Sequence, residues 1–332
     1  TAGGIPTFNL AGFTETAGPI ASTNTPATIT LGGGSLTSGD STSTSFAGAI
    51  TGTGGTLIKA GTGTFTLGGT SANTYTGATT ITAGGLTLNK TAGVNAITGN
   101  ITIGDRTGPD TLTLAASNQI ADTAAIILNS SGSPIFNLAG FSDTVGSIAS
   151  SNTAATIALG SGALTAGGDN SSTTYAGIFT GNGSFTKAGS GTTTLSGNSS
   201  TFTGAATVTA GTIVLQNNNA LGIGTAGTTV SSGTTLRLDG VTSANNGTLT
   251  LAGTGIGGTG ALVGGTISNN RWLGNLALTA DATISTSGSG WLALGTITPA
   301  WNRALNDPTH TPLDIGLSGY DHDEPRRQHA DT

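Results

Sequence analysis

The sequence predicts an all-β fold, a slender β-solenoid with an internal duplication. Three observations lead there. Apolar residues alternate with threonine in short runs, glycine and serine punctuate those runs, and a long stretch of the chain is written twice.

The alternation comes first. Pieces such as TLIK, TFTLG, TTITA, LTLN, ITIG and TLTLAA recur along the chain. A period of two marks a strand with one buried face. In TFTLG, Phe65 and Leu67 are expected inside, with Thr64 and Thr66 outside. The same phase places Leu86 with Leu88, Leu112 with Leu114, Leu236 with Leu238, Leu249 with Leu251 and Leu276 with Leu278 inside. Outward threonine is β-branched, suits a strand, and is expected to hydrogen-bond to threonine on the next coil. Glycine, Asn-Gly-like pairs or serine clusters follow each piece and supply turns with positive φ. Glycine and threonine at this density disfavour helix.

The duplication sets the architecture. PTFNLAGFTETAGPIASTNTPATITLG begins at Pro6, and PIFNLAGFSDTVGSIASSNTAATIALG begins at Pro134, an offset of 128. Lys59 and Lys187 keep that offset, and Tyr75 matches Phe202 at 127. Residues 1–128 therefore form a first repeat block and residues 129–298 a second block with an extension. Short strands could also build a sandwich or a barrel. Repetition up to Thr298 and an aromatic content of only 5% favour a narrow coil, which stacked Leu, Ile, Val and Ala can fill. About 20 residues per coil and a rung spacing of ~4.8 Å would give some fifteen coils and a rod of about 70 Å. Like charges stacked coil upon coil would repel, which accounts for a charged fraction of 7%.

Residues 299–332 read differently. Four of the nine prolines, all three histidines and nine of the charged residues lie there. This segment is expected to be a poorly ordered tail.

Composition excludes several classes. Net charge is -6, and the basic residues of the body (Lys59, Lys90, Arg106, Lys187, Arg237 and Arg271) are scattered. That leaves no basic footprint for nucleic acid and no polybasic membrane patch. Cysteine is absent, so neither disulfides nor a thiol nucleophile are available. No apolar run approaches the ~18 residues of a membrane span. The chain starts without Met or a signal peptide, which reads as a processed chain or a fragment. Mean hydropathy is +0.11, and together with the ordered alternation it separates the chain from a disordered Gly/Ser tract.

The stretch Leu57–Leu88, LIKAGTGTFTLGGTSANTYTGATTITAGGLTL, resembles the autotransporter-associated β-strand repeat, also called the passenger-associated transport repeat. Lys59, Gly61, Gly63, Leu67, Gly69, Asn73, Tyr75, Gly77, Gly84 and Leu86 carry the resemblance. The second copy carries it through Lys187, Gly189, Gly191, Leu195, Gly197, Phe202, Gly204 and Gly211, departing at Thr193 and Phe202 where the first copy has Phe65 and Tyr75. The segment Thr248–Leu294 is similar to the region that often accompanies such repeats. The resemblance implies a right-handed parallel β-helix in a secreted, surface-displayed bacterial protein. It also implies a C-terminal membrane β-barrel, whose alternating ~10-residue segments this sequence does not show.

Chemistry finds few footholds. A nucleophile–histidine triad needs a histidine, and His310, His322 and His329 all lie in the tail. The close acidic pair of the body, Asp105 and Asp110 in GDRTGPD, reads as a turn with solvated charges. Calcium wants several oxygen ligands, and no cluster of three acids precedes the tail. Asp321–Glu324, DHDE, reads as solvated charge rather than a metal site. GTGIGGTG contains a GxGxxG-like string at Gly253–Gly258 with no helix after it, which argues against a dinucleotide site. Trp272, Trp291 and Trp301 read as buried or capping aromatics rather than a sugar platform. No catalytic, metal or cofactor-binding residue is expected.

The leading functional expectation is a non-enzymatic structural or adhesive module of an extracellular or cell-surface protein. It would contact a host or neighbouring-cell surface, extracellular matrix, or copies of itself, and would meet a membrane only through a missing C-terminal barrel. The alternative is a self-assembling filament or sheath subunit that stacks end to end. An ice-binding solenoid needs regular Thr-x-Thr arrays, and TFT and TIT change register between coils. A polysaccharide-active β-helix enzyme needs clustered acids.

Overall fold

A computed structural model of the chain describes residues 5–104, 108–129, 132–267, 269–287 and 290–299. The tail and its expected disorder lie outside the described residues. Within them the chain is all-β: parallel sheets stack as a β-solenoid of about 14 turns. No α-helix occurs among the described residues, and the one helical turn is a 3-10 segment at Ile256–Gly258.

The turns build three faces, and most turns contribute a strand to each. The first face opens with Thr7–Asn9, Thr28–Thr30 and Ala49–Thr51. It crosses three irregular rungs through Thr74 N–H to Ile50 O, Asn73 N–H to Asn95 O and the Ile97–Ile120 bridge. It resumes as an eight-stranded sheet from Asp143–Val145 to Ile297–Pro299. The second face runs as seven strands from Glu15–Ala17 to Ile148–Ala149, crosses a Ser150–Tyr175 bridge, and continues as six strands from Thr173–Tyr175 to Ile284–Thr286. The third runs as seven strands from Thr44–Phe46 to Ile178–Gly181, passes Phe202, and ends in a short sheet of Thr242–Ser243, Asn270–Trp272 and Leu292–Leu294. A turn takes from 20 residues, Thr173 to Thr193, up to 29, Thr242 to Arg271.

The alternation sorts side chains as expected. Phe65, Leu67, Leu86, Leu88, Leu112, Leu114, Leu236, Leu238, Leu249, Leu251, Leu276 and Leu278 are all buried. They stack in columns: on the third face Phe65, Leu86, Leu112, Phe136, Ile157 and Phe179 lie in register over successive turns. Each such residue contributes about 1.5–3 kcal/mol by leaving water. Where Phe179, Phe185 and Phe202 meet, ring centroids are 4.8 and 5.9 Å apart in tilted pairs, a favoured aromatic geometry.

Outside, threonines form a ladder. Thr144, Thr165, Thr186, Thr207, Thr229 and Thr250 are in register on the first face. The paired Thr-x-Thr columns do break: Thr64 stands against Gly85, and Thr111 and Thr113 against Ile135 and Asn137. Several threonine hydroxyls choose backbone rather than threonine partners. Thr82 and Thr209, equivalent in the two copies, donate to Lys59 O and Lys187 O, both at 3.0 Å.

The two sequence copies do not share faces. Thr7–Asn9 lies on the first face, but its counterpart Ile135–Asn137 lies on the third. Thr56–Lys59 lies on the second face and Ser184–Lys187 on the first; Thr64–Gly69 lies on the third and Thr192–Leu195 on the second. An offset of 128 residues therefore advances the coil by a whole number of turns less one face. The second copy is the first one rotated by a third of a turn, and all three faces obey one grammar. Two of the sheets run without interruption past residue 128.

Candidate functional site

Buried polar residues and glycines of the repeats, together with Lys90, hold one turn against the next.

Lys59 ends the strand Thr56–Lys59 on its inward phase and is fully buried. Its Nζ donates to Ala60 O and Gly61 O, both at 2.8 Å, and to Ala83 O of the next turn at 3.0 Å. Lys187 repeats this with Ala188 O, with Gly189 O at 2.8 Å and with Ala210 O at 3.4 Å. Lys90, also buried, donates to Gly68 O at 2.7 Å and Gly48 O at 3.0 Å, spanning two turns. Three donors on one flexible stem suit a ring of carbonyls. Burial lowers the pKa of all three lysines, that of Lys90 to about 8. For Lys59 the nearby charges of Asp110 and Asp40 partly offset this, as Asp169 does for Lys187.

Asn73 is a second clamp. Its Oδ1 accepts Ile50 N–H of the turn below at 2.8 Å, and its Nδ2 donates to Ala96 O of the turn above at 2.7 Å. In the second copy Ser199 Oγ accepts Phe179 N–H at 3.0 Å, without an amide to reach upward. The buried Tyr75 hydroxyl pairs with Thr79 Oγ1 at 2.7 Å. The second copy replaces both partners together, with Phe202 and Ala206, an exchange that leaves no buried polar group unsatisfied.

The glycines of the motif are explained by contact with the turn below. A Cβ on Gly77 would run into Gly55 O, and one on Gly204 into Gly183 O. Gly61 and Gly189, which follow the lysines, would collide with Asp40 O and Gly167 O, and both sit at positive φ. Any side chain there would force two rungs apart.

One acid is held within the coil. Asp143 is buried, accepts Gln119 N–H at 2.8 Å and Thr144 N–H at 2.9 Å, and is paired with no cation among the described residues. Burial pushes its pKa up to about 7, the backbone donors oppose that shift, and the charge of Asp122 adds to it.

The other sequence candidates fare as follows. Asp105 lies outside the described residues. Asp110 is 2% exposed, so the reading of a solvated acidic turn is corrected for that residue: it is drawn in beside Lys59 rather than left in water. The Gly253–Gly258 string runs from the end of the strand Leu249–Gly253 into the 3-10 turn Ile256–Gly258, with Gly255, Gly257 and Gly258 at positive φ. Trp272 is fully buried and Trp291 is 39% exposed. Trp301, the three histidines and Asp321–Glu324 lie outside the described residues. Among the described residues no group of three or more His, Asp or Glu converges. A shallow groove of about 400 Å³ follows the second face beside Thr102, Ile127, Asn129, Ala149, Ser150 and Thr174. It offers hydroxyls, amides and one exposed isoleucine, but no acid–base pair and no nucleophile with a base.

The interior position of the lysines has a signal in the sequence beyond their scatter along it. In TLIK, LTLNK and SFTK the lysine falls on the same phase as the inward leucine or phenylalanine.

Comparison with known proteins matches two segments. The passenger-associated-transport-repeat family model covers residues 57–88 and 185–215, which hold Lys59 and Lys187 and the four glycines Gly61, Gly77, Gly189 and Gly204 described above. No curated protein and no solved structure matches the chain.

Proposed function

We propose that this passenger-type repeat solenoid is a structural module of a secreted or surface-displayed bacterial protein. It serves as a rod that holds an outer surface away from the cell and contacts other surfaces through its faces. The observation that carries this reading is the use of the motif: Lys59, Asn73, Gly77 and their counterparts are spent on joining turns rather than on lining a site. The rotation of the second copy supports it further. A ligand site repeated with the motif would point in two directions, whereas a stacking device works on any face.

A rod whose turns close on their neighbours can fold progressively from one end. Without cysteine it needs no oxidation step. Folding outside the membrane can therefore draw the following segment outward. In a fusion of this chain between a signal peptide and a translocating β-barrel, deletion of Lys59–Leu88 is expected to lower the protease-accessible amount on intact cells several-fold. Unchanged surface exposure would contradict this role.

A further inference from the structure

We infer that the first face carries a pH-gated seam: the turn through Gln119 and the turn through Asp143 part there, more readily as pH rises to neutrality, while the second and third faces of the same two turns stay paired. The inference does not depend on surface display.

The first face has no ladder at this point. Among the described residues, Asp143–Val145 pairs only with Ala163–Ala166 of the turn above. Towards the turn below, a side chain stands in. Asp143 Oδ2 accepts Gln119 N–H at 2.8 Å, and Asp143 Oδ1 takes Thr144 N–H at 2.9 Å. Beside them Asn118 N–H donates to Ser142 O at 2.9 Å. The other faces of the same two turns are regular: Leu112 and Thr113 lie in register with Phe136 and Asn137, and Ile126 and Ile127 with Ile148 and Ala149. A carboxyl group thus does for the first face what backbone pairing does for the others.

That carboxyl group is 3% exposed, and Gln119 is fully buried. The charged groups around it supply no partner. Asp122, exposed on the turn below, adds like charge. Asp169, on the turn above, accepts the Ser147 hydroxyl at 2.7 Å. Lys90, one turn below Gln119, spends its Nζ on Gly68 O and Gly48 O. Ionisation therefore leaves an uncompensated charge between two turns, and burial holds the Asp143 pKa up at about 7 although backbone donors favour the charged form. Opening the seam lets water reach the carboxylate. The open seam releases its proton near the ordinary 3.8 and the closed one near 7. Between those values rising pH favours opening, and above 7 it adds nothing further.

The same face holds an internal control. Asn73 Oδ1 accepts Ile50 N–H of the turn below at 2.8 Å, the same kind of bridge made by an amide that cannot titrate.

Hydrogen exchange on the full chain, with rates corrected for the intrinsic pH dependence of exchange, reads the seam directly. Protection of Gln119 N–H should fall at least about ten-fold between about pH 5 and 7 and then level off, while Ile50 N–H keeps its protection. Ile126 N–H and Ile135 N–H join the same two turns on the other faces, to Ser147 O and Asp110 O. They should stay at least about ten-fold better protected than Gln119 throughout, because they open only with the whole turn. Asp143→Asn should abolish the pH dependence at Gln119. Asp122→Asn, an exposed substitution that keeps the fold, should make the levelling begin at lower pH. Equal protection of Gln119, Ile126 and Ile135 would mean that the turns separate as a unit and would overturn the proposal. So would a Gln119 protection that ignores pH, that follows pH equally in Asp143→Asn, or that is matched by the same trend at Ile50.

Discussion

Replacement of Gly204 by alanine is expected to destabilise the solenoid by about 3 kcal/mol or more, the upper range for overpacking. The added methyl would overlap Gly183 O of the turn below and meet the Phe202 ring at 2.9 Å. Carbonyl, corner and ring are each held by neighbouring turns, so relief requires two rungs to separate. Backbone strain does not enter, because Gly204 is not among the residues at positive φ. Gly18 is the control: a Cβ there meets nothing within 4 Å and its φ is ordinary. Gly18→Ala should therefore change stability by no more than about 0.5 kcal/mol, as surface substitutions do. Denaturant midpoints of the two variants check the pair. Equal midpoints would mean that the corners are not in contact.

The second large effect concerns pH. Asp143 ionises near 7 in the folded chain instead of at its usual 3.8. The folded state therefore holds a proton between those values that the unfolded chain releases. Stability from this group is complete below about pH 4 and falls as pH rises through 7. A shift of that size corresponds to a loss of about 4 kcal/mol, at 1.36 kcal/mol per pH unit. Lys90 acts in the opposite window: its folded pKa is lowered from 10.5 to about 8, so its contribution rises with pH from about 8 towards 10.5. The sum of these two contributions is lowest between pH 7 and 8.

Asp143→Asn separates the two contributions. The amide cannot ionise, and one of its two atoms can no longer accept a backbone N–H, a loss of about 1 kcal/mol. The variant should be less stable than the parent at pH 5 and at least as stable at pH 8. Unfolding curves across that range would show the two lines cross. Parallel lines would mean that Asp143 is already ionised, or fully solvated, in the folded chain.

The sequence and the structure agree most closely where side chains alternate. Leu86 and Leu88, or Leu249 and Leu251, needed only the period of two to be placed inside, because a pleated strand has no other way to bury one face. The motif glycines were legible as turns, but not their cause. Contact between Gly204 and Gly183 O depends on which residue lies one turn below, and turns here vary from 20 to 29 residues. The same variation hid the rotation of the second copy. An offset of 128 was visible in the text; that it stops one face short of a whole number of turns depends on loop lengths accumulated along the way.

Asp143 and Asp110 were obscured by a different bias. An acid in a chain so poor in charge reads as solvated. Asp143 instead occupies the inward phase of its strand, where backbone donors from the turn below receive it. Lys59, Lys90 and Lys187 occupy the inward phase of their strands in the same way. A polar residue on the inward phase of an alternating strand marks a place where the corner needs donors or acceptors that leucine cannot supply.

The central claim is that successive threonines on one face belong to successive turns stacked at strand spacing. Thr144, Thr186, Thr229 and Thr250 lie in register along the first face at rungs one, three, five and six of the threonine ladder. Nitroxide labels on cysteine pairs joining position 144 to each of the others should report separations that grow linearly, by about 4.8 Å per rung, to roughly 24 Å at position 250. Distances that fail to increase in proportion to rung number would contradict the stacked coil.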